Sequence, residues 1–285
     1  MIYLDNAATT RISSGVADVM TKAMLEQNAN PSAIYEIALD NRSKIEQARK
    51  DIAQTLGASA KEIFFTSGGS ESDNWAIRGL LDSSSNERKH IITSKIEHKA
   101  ILKTCEYLEK HGYEITYLDV DSEGHISQNE LKKHITNNTL LVSIMFANNE
   151  IGTIMDIQEL ARITHKYGAY FHTDAVQVYG YSRINCRELG IDLLSASGHK
   201  LHGPKGIGFL YKREGIEIEP LIYGGTQESG LRAGTENVVG IMGMAEAARE
   251  AFKDIDETEK KLKKLRDDLI NKIVTEVSNS YLVGG

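Results

Sequence analysis

Short runs of apolar, β-prone residues alternate with helical segments along most of this 285-residue chain, and that alternation constrains the fold more than any other feature. The strand-like runs are Ile63-Phe64-Phe65, Ile91-Ile92-Thr93, Ile115-Thr116-Tyr117-Leu118, Leu140-Leu141-Val142-Ser143-Ile144-Met145, Tyr170-Phe171-His172 and the run beginning at Ile191. Between them the spacing predicts helices near 42–57, 70–81, 98–110, 127–135 and 156–167. Strands separated by helices do not pair as hairpins. The crossover sets successive strands parallel and leaves the helices on the sheet faces. The expected fold class is α/β, with a mostly parallel sheet flanked by helices. Ligands on such sheets bind beyond the carboxyl ends of the strands.

The two ends of the chain read differently. Tyr3-Leu4-Asp5 is strand-like, with no basic segment ahead of an apolar stretch of the kind that directs secretion. From 244 to 275 the sequence is charged and helical, with Leu262, Leu265, Leu269 and Ile273 forming an apolar stripe. Ser280-Tyr281-Leu282-Val283 reads as a strand before Gly284-Gly285. A stripe and a lone strand need something to pack against, so either the N-terminal strand covers them or a piece is missing. Ser83-Ser84-Ser85-Asn86 reads as a surface loop.

Charge and cysteine content narrow the function classes. A net charge of −7 with no basic tract argues against a direct nucleic-acid surface. No stretch approaches the roughly 18 apolar residues of a membrane span. Cys105 and Cys186 are too few for a disulfide framework and lack metal-site spacing, which fits a reducing cytoplasm and no bound metal.

Five sites lie just after strand-like runs. Thr66-Ser67-Gly68-Gly69-Ser70-Glu71-Ser72 opens a helix; it is either a phosphate cradle or a plain Ser/Gly loop with Ser70 as N-cap. It lacks the Gly-Lys-Ser/Thr of a nucleotide P-loop. His98 is either a ring-stacking, proton-carrying imidazole or a solvated loop residue. Asn149 either bonds a ligand oxygen or belongs to a polar turn before Gly152. Asp174 is either an N-cap or a carboxylate that keeps a pyridine nitrogen protonated. Lys200, in Ser197-Gly198-His199-Lys200, is either a surface lysine or an amine for Schiff-base chemistry, where partial burial favours the reactive neutral form. In a parallel sheet these ends share one edge. Together they supply what is needed to hold pyridoxal 5′-phosphate: a phosphate cradle, a ring stacker, an amide, a carboxylate and an amine.

With these residues in place the chain resembles the group I NifS/IscS-type cysteine desulfurases, in the class V aminotransferase group of fold-type I pyridoxal-phosphate enzymes. The resemblance rests on Tyr3 to Thr10, Thr66 to Asn74, Glu97-His98-Lys99-Ala100, Asn148-Asn149-Glu150-Ile151-Gly152, Asp174-Ala175-Val176-Gln177, Ser197 to Lys200 with Gly203-Pro204-Lys205-Gly206, and Arg232-Ala233-Gly234-Thr235-Glu236-Asn237. It implies that Lys200 binds the cofactor aldehyde and moves the substrate Cα proton. It further implies that Asp174 pairs with the ring nitrogen, that Gln177 and Asn149 face the ring oxygen, and that His98 stacks on the ring and assists proton transfer. Gly69, Ser70, Ser197 and His199 would hold the phosphate, and Thr235 would reach the phosphate of a partner subunit in a homodimer. The implied reaction converts L-cysteine to L-alanine and passes sulfur, as a persulfide, to an acceptor protein: an iron–sulfur scaffold or a tRNA-thiolation enzyme. The implied division is 1–13 as a segment reaching a small domain, 14–245 as the large cofactor domain, and 246–285 as a linking helix and first strand of an incomplete small domain.

The chain departs from the family at Tyr35 (usually His), Ala38 (usually Gly) and Ser229 (usually basic). A larger departure is the persulfide-forming cysteine and a carboxylate-binding arginine, which family members carry in on the order of a hundred further residues. Cys105, on a predicted helix two turns past His98, and Cys186, in a connector away from the cofactor edge, are poor substitutes, because a reactive thiolate needs an exposed, electropositive site. The expectation is a truncated desulfurase with impaired turnover. The alternatives are another class V enzyme, such as a selenocysteine lyase or aminotransferase, or a non-catalytic cofactor-binding, dimerising remnant.

Overall fold

In the computed structural model, which describes residues 2–84 and 88–284, seven strands form one sheet. They are β1 (Ile63–Thr66), β2 (His90–Ser94), β3 (Glu114–Leu118), β4 (Thr139–Ser143), β5 (Tyr170–Asp174), β6 (Leu193–Ser197) and β7 (Gly208–Lys212). Their spatial order is β1-β7-β6-β5-β4-β2-β3. Only β7 runs antiparallel to its neighbours β6 and β1; the pairs β2–β3, β2–β4, β4–β5 and β5–β6 are parallel. The fold is therefore the expected mostly parallel α/β sheet.

Both faces of the sheet are buried except along the edge strand β3. Neighbouring strand residues point to opposite sides, so Phe64, Ile91, Leu141, Leu193 and Leu210 enter one core and Phe65, Ile92, Val142, Leu194 and Phe209 enter the other. This is why the strands read as continuous apolar runs rather than as an alternating pattern. Helices α3 (Gly69–Ser83) and α4 (Lys99–Lys110) cover the first core through Trp75, Ile77, Leu80 and Ile101. The second core is covered by α2 (Glu36–Thr55), α5 (Gln128–His134), α6 (Ile157–Lys166) and α7 (Val238–Lys253), and α1 (Ser14–Glu26) packs on α7.

Several expectations need correction. Residues 2–13 contain no strand; they form a turn and an irregular segment over the sheet edge. Helix α1 and strand β7 had no sequence assignment. The helical region 244–275 divides at Asp254, whose φ of −129° is not helical, into α7 and α8 (Ile255–Glu276). Ser280–Val283 is not a strand. A strand needs a partner edge, and the edge strands β1 and β3 pair only inward. On α8, Leu262, Leu265, Leu269 and Ile273 are between 43% and 60% exposed, so the predicted stripe is present but largely uncovered. Of the loop 83–86, Ser83 ends α3, and 85 and 86 lie outside the described residues. Among the described residues no helix is long and apolar enough to cross a membrane.

Candidate active site

Because β1, β2, β4, β5 and β6 share one direction, their carboxyl ends meet along one edge. A cavity of about 500 Å³ opens there. Gly69, Ser70, His98, Asn149, Asp174, Gln177, Ser197, His199 and Lys200 all line it, so the sheet gathers nine of the ten residues singled out from the sequence. The tenth, Thr235, is exposed and lies beside Arg232 and Asn237 in a separate depression.

Lys200 ends a single helical turn, Gly198–Lys200, directly after β6. Its Nζ donates to the carbonyls of Ala7 and Ala8 (3.1 Å to Ala8), and the Tyr181 hydroxyl donates to the Lys200 carbonyl at 2.7 Å. The N-terminal segment is tied to the same turn: the Thr10 N–H donates to the His199 carbonyl, and His199 Nδ1 lies 3.0 Å from Thr9 Oγ1. Gln177 Nε2 also donates to Ala7. Burial lowers the Lys200 pKa, against the fields of Asp174 and Asp5. The amine is thus shifted toward the neutral, nucleophilic form.

The anion-binding end is built by glycine. Gly68 holds φ at +149°, and a Cβ on Gly208 would fall 2.5 Å from the Ala196 carbonyl and 2.7 Å from Gly68 Cα. Only this close approach of β7 brings the Gly68 turn against β6. Gly68 is the N-cap of α3 and no side chain caps the helix, which leaves first-turn N–H groups for an anion. Ser70 is therefore a residue of the first turn rather than the N-cap. Across this turn, Glu71 accepts a two-pronged bond from Arg232 (2.8 and 3.1 Å) and another from the Ser67 N–H. Partial burial disfavours the charged carboxylate, yet these donors outweigh it and hold Glu71 below the usual carboxylate range. A depressed carboxylate contributes stability above its unfolded pKa that is lost as pH falls through its folded value. We expect Arg232→Ala to remove that part of the acid-unfolding limb, measured as the change in denaturant midpoint between neutral and acidic pH.

At the other end of the cavity Asp174 closes β5. Its Oδ1 accepts from the Val176 N–H at 2.9 Å, in a turn rather than at a helix start. Burial raises its pKa, while that N–H, His98 and Lys200 oppose the rise. His98 is the N-cap of α4, with Nδ1 accepting from Ala100 N at 3.2 Å, so Nε2 is the nitrogen left for a ligand. Asn148 is bound into the loop by Ile96, Met145, Glu150 and Ile151, whereas the neighbouring Asn149 faces the cavity. Pyridoxal phosphate fits this donor set: an uncapped helix start for its phosphate, a carboxylate for its ring nitrogen and an amine for its aldehyde.

Sequence reasoning missed two buried carboxyls. Asp73, on the inner face of α3, reaches the cavity, and its Oδ1 has no hydrogen-bond partner among the described residues. Glu97 accepts from Ser94 and from the Met145 N–H, and burial pushes it up to about 8. The signal for Asp73 was its place between Ser72 and Trp75-Ala76-Ile77, the face of α3 that turns to the sheet. Both cysteines are fully buried; burial pushes Cys105 up to about 12 and Cys186 higher still.

Comparison with known proteins bears on this site. The family model described as aminotransferase class-V matches residues 2–282. A cysteine desulfurase IscS of Dictyoglomus turgidum is 51% identical over 99% of this chain and 72% of its own length. A cysteine desulfurase IscS of Methanosarcina thermophila is 50% identical over 99% of this chain and 70% of its own. Among solved structures, a NifS-like protein superposes with a TM-score of 0.93 at 41% identity, covering 96% of this chain and 76% of its own. A structure described as SspA in complex with cysteine gives 0.88 at 41%, covering 94% and 78%.

Proposed function

The chain belongs to the class-V aminotransferase family, and from that premise we propose that it is a pyridoxal-phosphate cysteine desulfurase acting on L-cysteine. The observation that carries this reading is the convergence of Lys200 Nζ and the Asp174 carboxyl on one cavity whose far end is an uncapped helix start. When bound, the cofactor supplies an electron sink for the pair left at the substrate Cα, provided its ring nitrogen keeps a proton.

The residues of this chain bind and orient the cofactor and handle the proton. The N–H groups at Gly69 and Ser70, with Ser197 and His199, hold the phosphate and fix the orientation. The Asp174 carboxylate holds the proton on the ring nitrogen. Asn149 and Gln177 orient the ring through its oxygen, and His98 covers its face. Lys200 Nζ, its pKa lowered by burial, is the amine that would hold the cofactor through its aldehyde, and it is placed to carry the proton away from the substrate Cα. Sulfur transfer would need a thiolate that attacks the substrate sulfur while the Cβ–S bond breaks and its electron pair passes to the substrate carbons, giving a persulfide for an acceptor protein of the iron–sulfur or tRNA-thiolation kind. Cys105 and Cys186 are not that thiolate, because both are buried with raised pKa values.

The proposal extends to a cytoplasmic homodimer. Thr235, exposed and outside its own cavity, is assigned to the partner's phosphate, and the exposed Ile34, Ile37 and Tyr223 support an apolar interface. Within the protomer we assign 1–13 to a segment reaching a small domain, 14–245 to the cofactor domain, and 246–285 to the connection into the small domain.

Titration with pyridoxal phosphate tests the reading. A protein of these 285 residues is expected to gain a visible absorption band that L-cysteine perturbs, and to form little or no L-alanine. Absence of the band would overturn the cofactor assignment; robust alanine formation would show that a thiol we exclude is competent.

A further inference from the structure

One group at the cavity has no part in the chemistry above. Asp73 is 1% exposed, lines the cavity, and leaves Oδ1 unpartnered among the described residues. Single ligand atoms of Asp73, His98 and Asp174 all lie within 4.8 Å of one another. Two buried carboxyls this close do not both ionise without a cation each.

The groups around Asp73 decide which carboxyl keeps the charge. From β5, His172 Nε2 stands 3.8 Å from Asp73 Oδ1, but burial holds this imidazole down to about 3, so it is neutral. It is spent on hydroxyls, with Nδ1 2.8 Å from Ser143 Oγ and Nε2 3.0 Å from Ser195 Oγ. From β6, Ser195, whose hydroxyl is paired with His172, opposes the rise at Asp73. From the loop after β2, Glu97, pushed up to about 8 and so mostly protonated at neutral pH, adds little charge, while Asp174 adds a like charge. Lys200, His98 and the Val176 N–H all oppose the rise at Asp174, and the Val176 N–H is a direct hydrogen bond of a kind that Asp73 Oδ1 lacks. Burial and like charge thus set Asp73 well above the usual carboxylate range, while Asp174 has the donors.

We propose that Asp73 is a positioning residue of the ring-nitrogen site: its carboxyl, on the inner face of α3 beside Asp174, keeps the proton and leaves Asp174 as the single anion facing the cofactor nitrogen. This rests on the cofactor reading above. A neutral neighbour supplies shape and dipole without a second charge. A charged one would over-bind a proton at the ring, and a void would admit water to Asp174.

The test uses the cofactor-loaded protein with Asp73→Asn, Asp73→Ser and Asp174→Asn. Infrared difference spectra at neutral pH are expected to show the stretch of a protonated carboxyl that Asp73→Asn removes and Asp174→Asn does not. Nitrogen-15 NMR with ring-labelled pyridoxal phosphate should give the same protonated shift for wild type and Asp73→Asn, and an unprotonated shift for Asp174→Asn. Cofactor affinity should be unchanged in Asp73→Asn and about tenfold weaker in Asp73→Ser, where a buried group loses its neighbour. Loss of the protonated nitrogen shift in Asp73→Asn would show Asp73 to be the charged partner and overturn the proposal. So would wild-type affinity in Asp73→Ser, or an infrared spectrum that Asp73→Asn leaves unaltered. If wild type itself gives no visible band with pyridoxal phosphate, the cofactor reading fails and the carboxyl stretch still reports on Asp73 in the free protein.

Discussion

Replacing Lys200 by alanine is expected to abolish the visible band given by pyridoxal phosphate, and with it all cofactor-dependent chemistry on L-cysteine. Lys200 Nζ is the amine that lines the cavity, and burial shifts it toward the neutral form. The nearest lysine in sequence, Lys205, lines the depression at the phosphate end, on the wrong side to replace it. The loss is one of nucleophile and proton carrier together, so exchange of the L-cysteine Cα proton with solvent should fall by orders of magnitude rather than a few-fold. Folding should change little: the amine's bonds to Ala7 and Ala8 are exposed, and losing such a bond costs about 1 kcal/mol. In wild type the rate of band formation should rise with pH and level off below the ordinary lysine value of about 10.4, because the folded pKa is lowered. A lysine-dependent band that persists in Lys200→Ala would reassign the site.

The largest expected stability loss lies elsewhere, at Arg49 and Glu228. The guanidinium makes two parallel bonds to the carboxylate (2.7 and 2.8 Å) and a third to the Ile63 carbonyl, while Glu228 also accepts from the Phe65 N–H. Their side chains are 10% and 3% exposed. Glu228 and Ser229 hold φ at +46° and +60°, so this pair clamps a strained loop onto α2 and β1. Arg49→Met strands the buried Glu228 carboxylate and should cost about 3–5 kcal/mol by denaturant unfolding, while Glu228→Leu should cost less, because Arg49 Nε keeps Glu46 at 3.2 Å. The double variant should recover a good part of that loss, since neither charge is then stranded. Equal losses in the single and double variants would mean that packing, not the charge pair, holds the loop.

Much of the fold was legible because strand-length apolar runs separated by helices have few ways to pack. Six of the seven strands could be read this way. Strand β7 escaped: Gly208-Phe209-Leu210-Tyr211-Lys212 follows β6 after a connection that holds only the single turn Gly198–Lys200 and no crossover helix, and so makes an antiparallel neighbour. The strand expected at 280–283 failed for the opposite reason, since local β propensity there met no partner edge. At the site, residues that end strands were found because a polar group after an apolar run is conspicuous. Asp73 and Glu97 were not, because a carboxyl inside a helix pattern or beside a histidine looks like an ordinary surface charge until its burial is known.

Sequence alone determined the α/β class, the strand ends that carry Lys200, Asp174 and His98, and the glycines that open α3, because these depend on local patterning and on steric limits at single positions. Tertiary structure alone decided that Thr235 stands outside the cavity of its own chain, that both cysteines are sealed from it, and that Asp73 faces Asp174. Those are facts of burial and of distance between residues far apart in the chain. The chain's linear order does not encode them until the parallel strands have brought their ends to one edge.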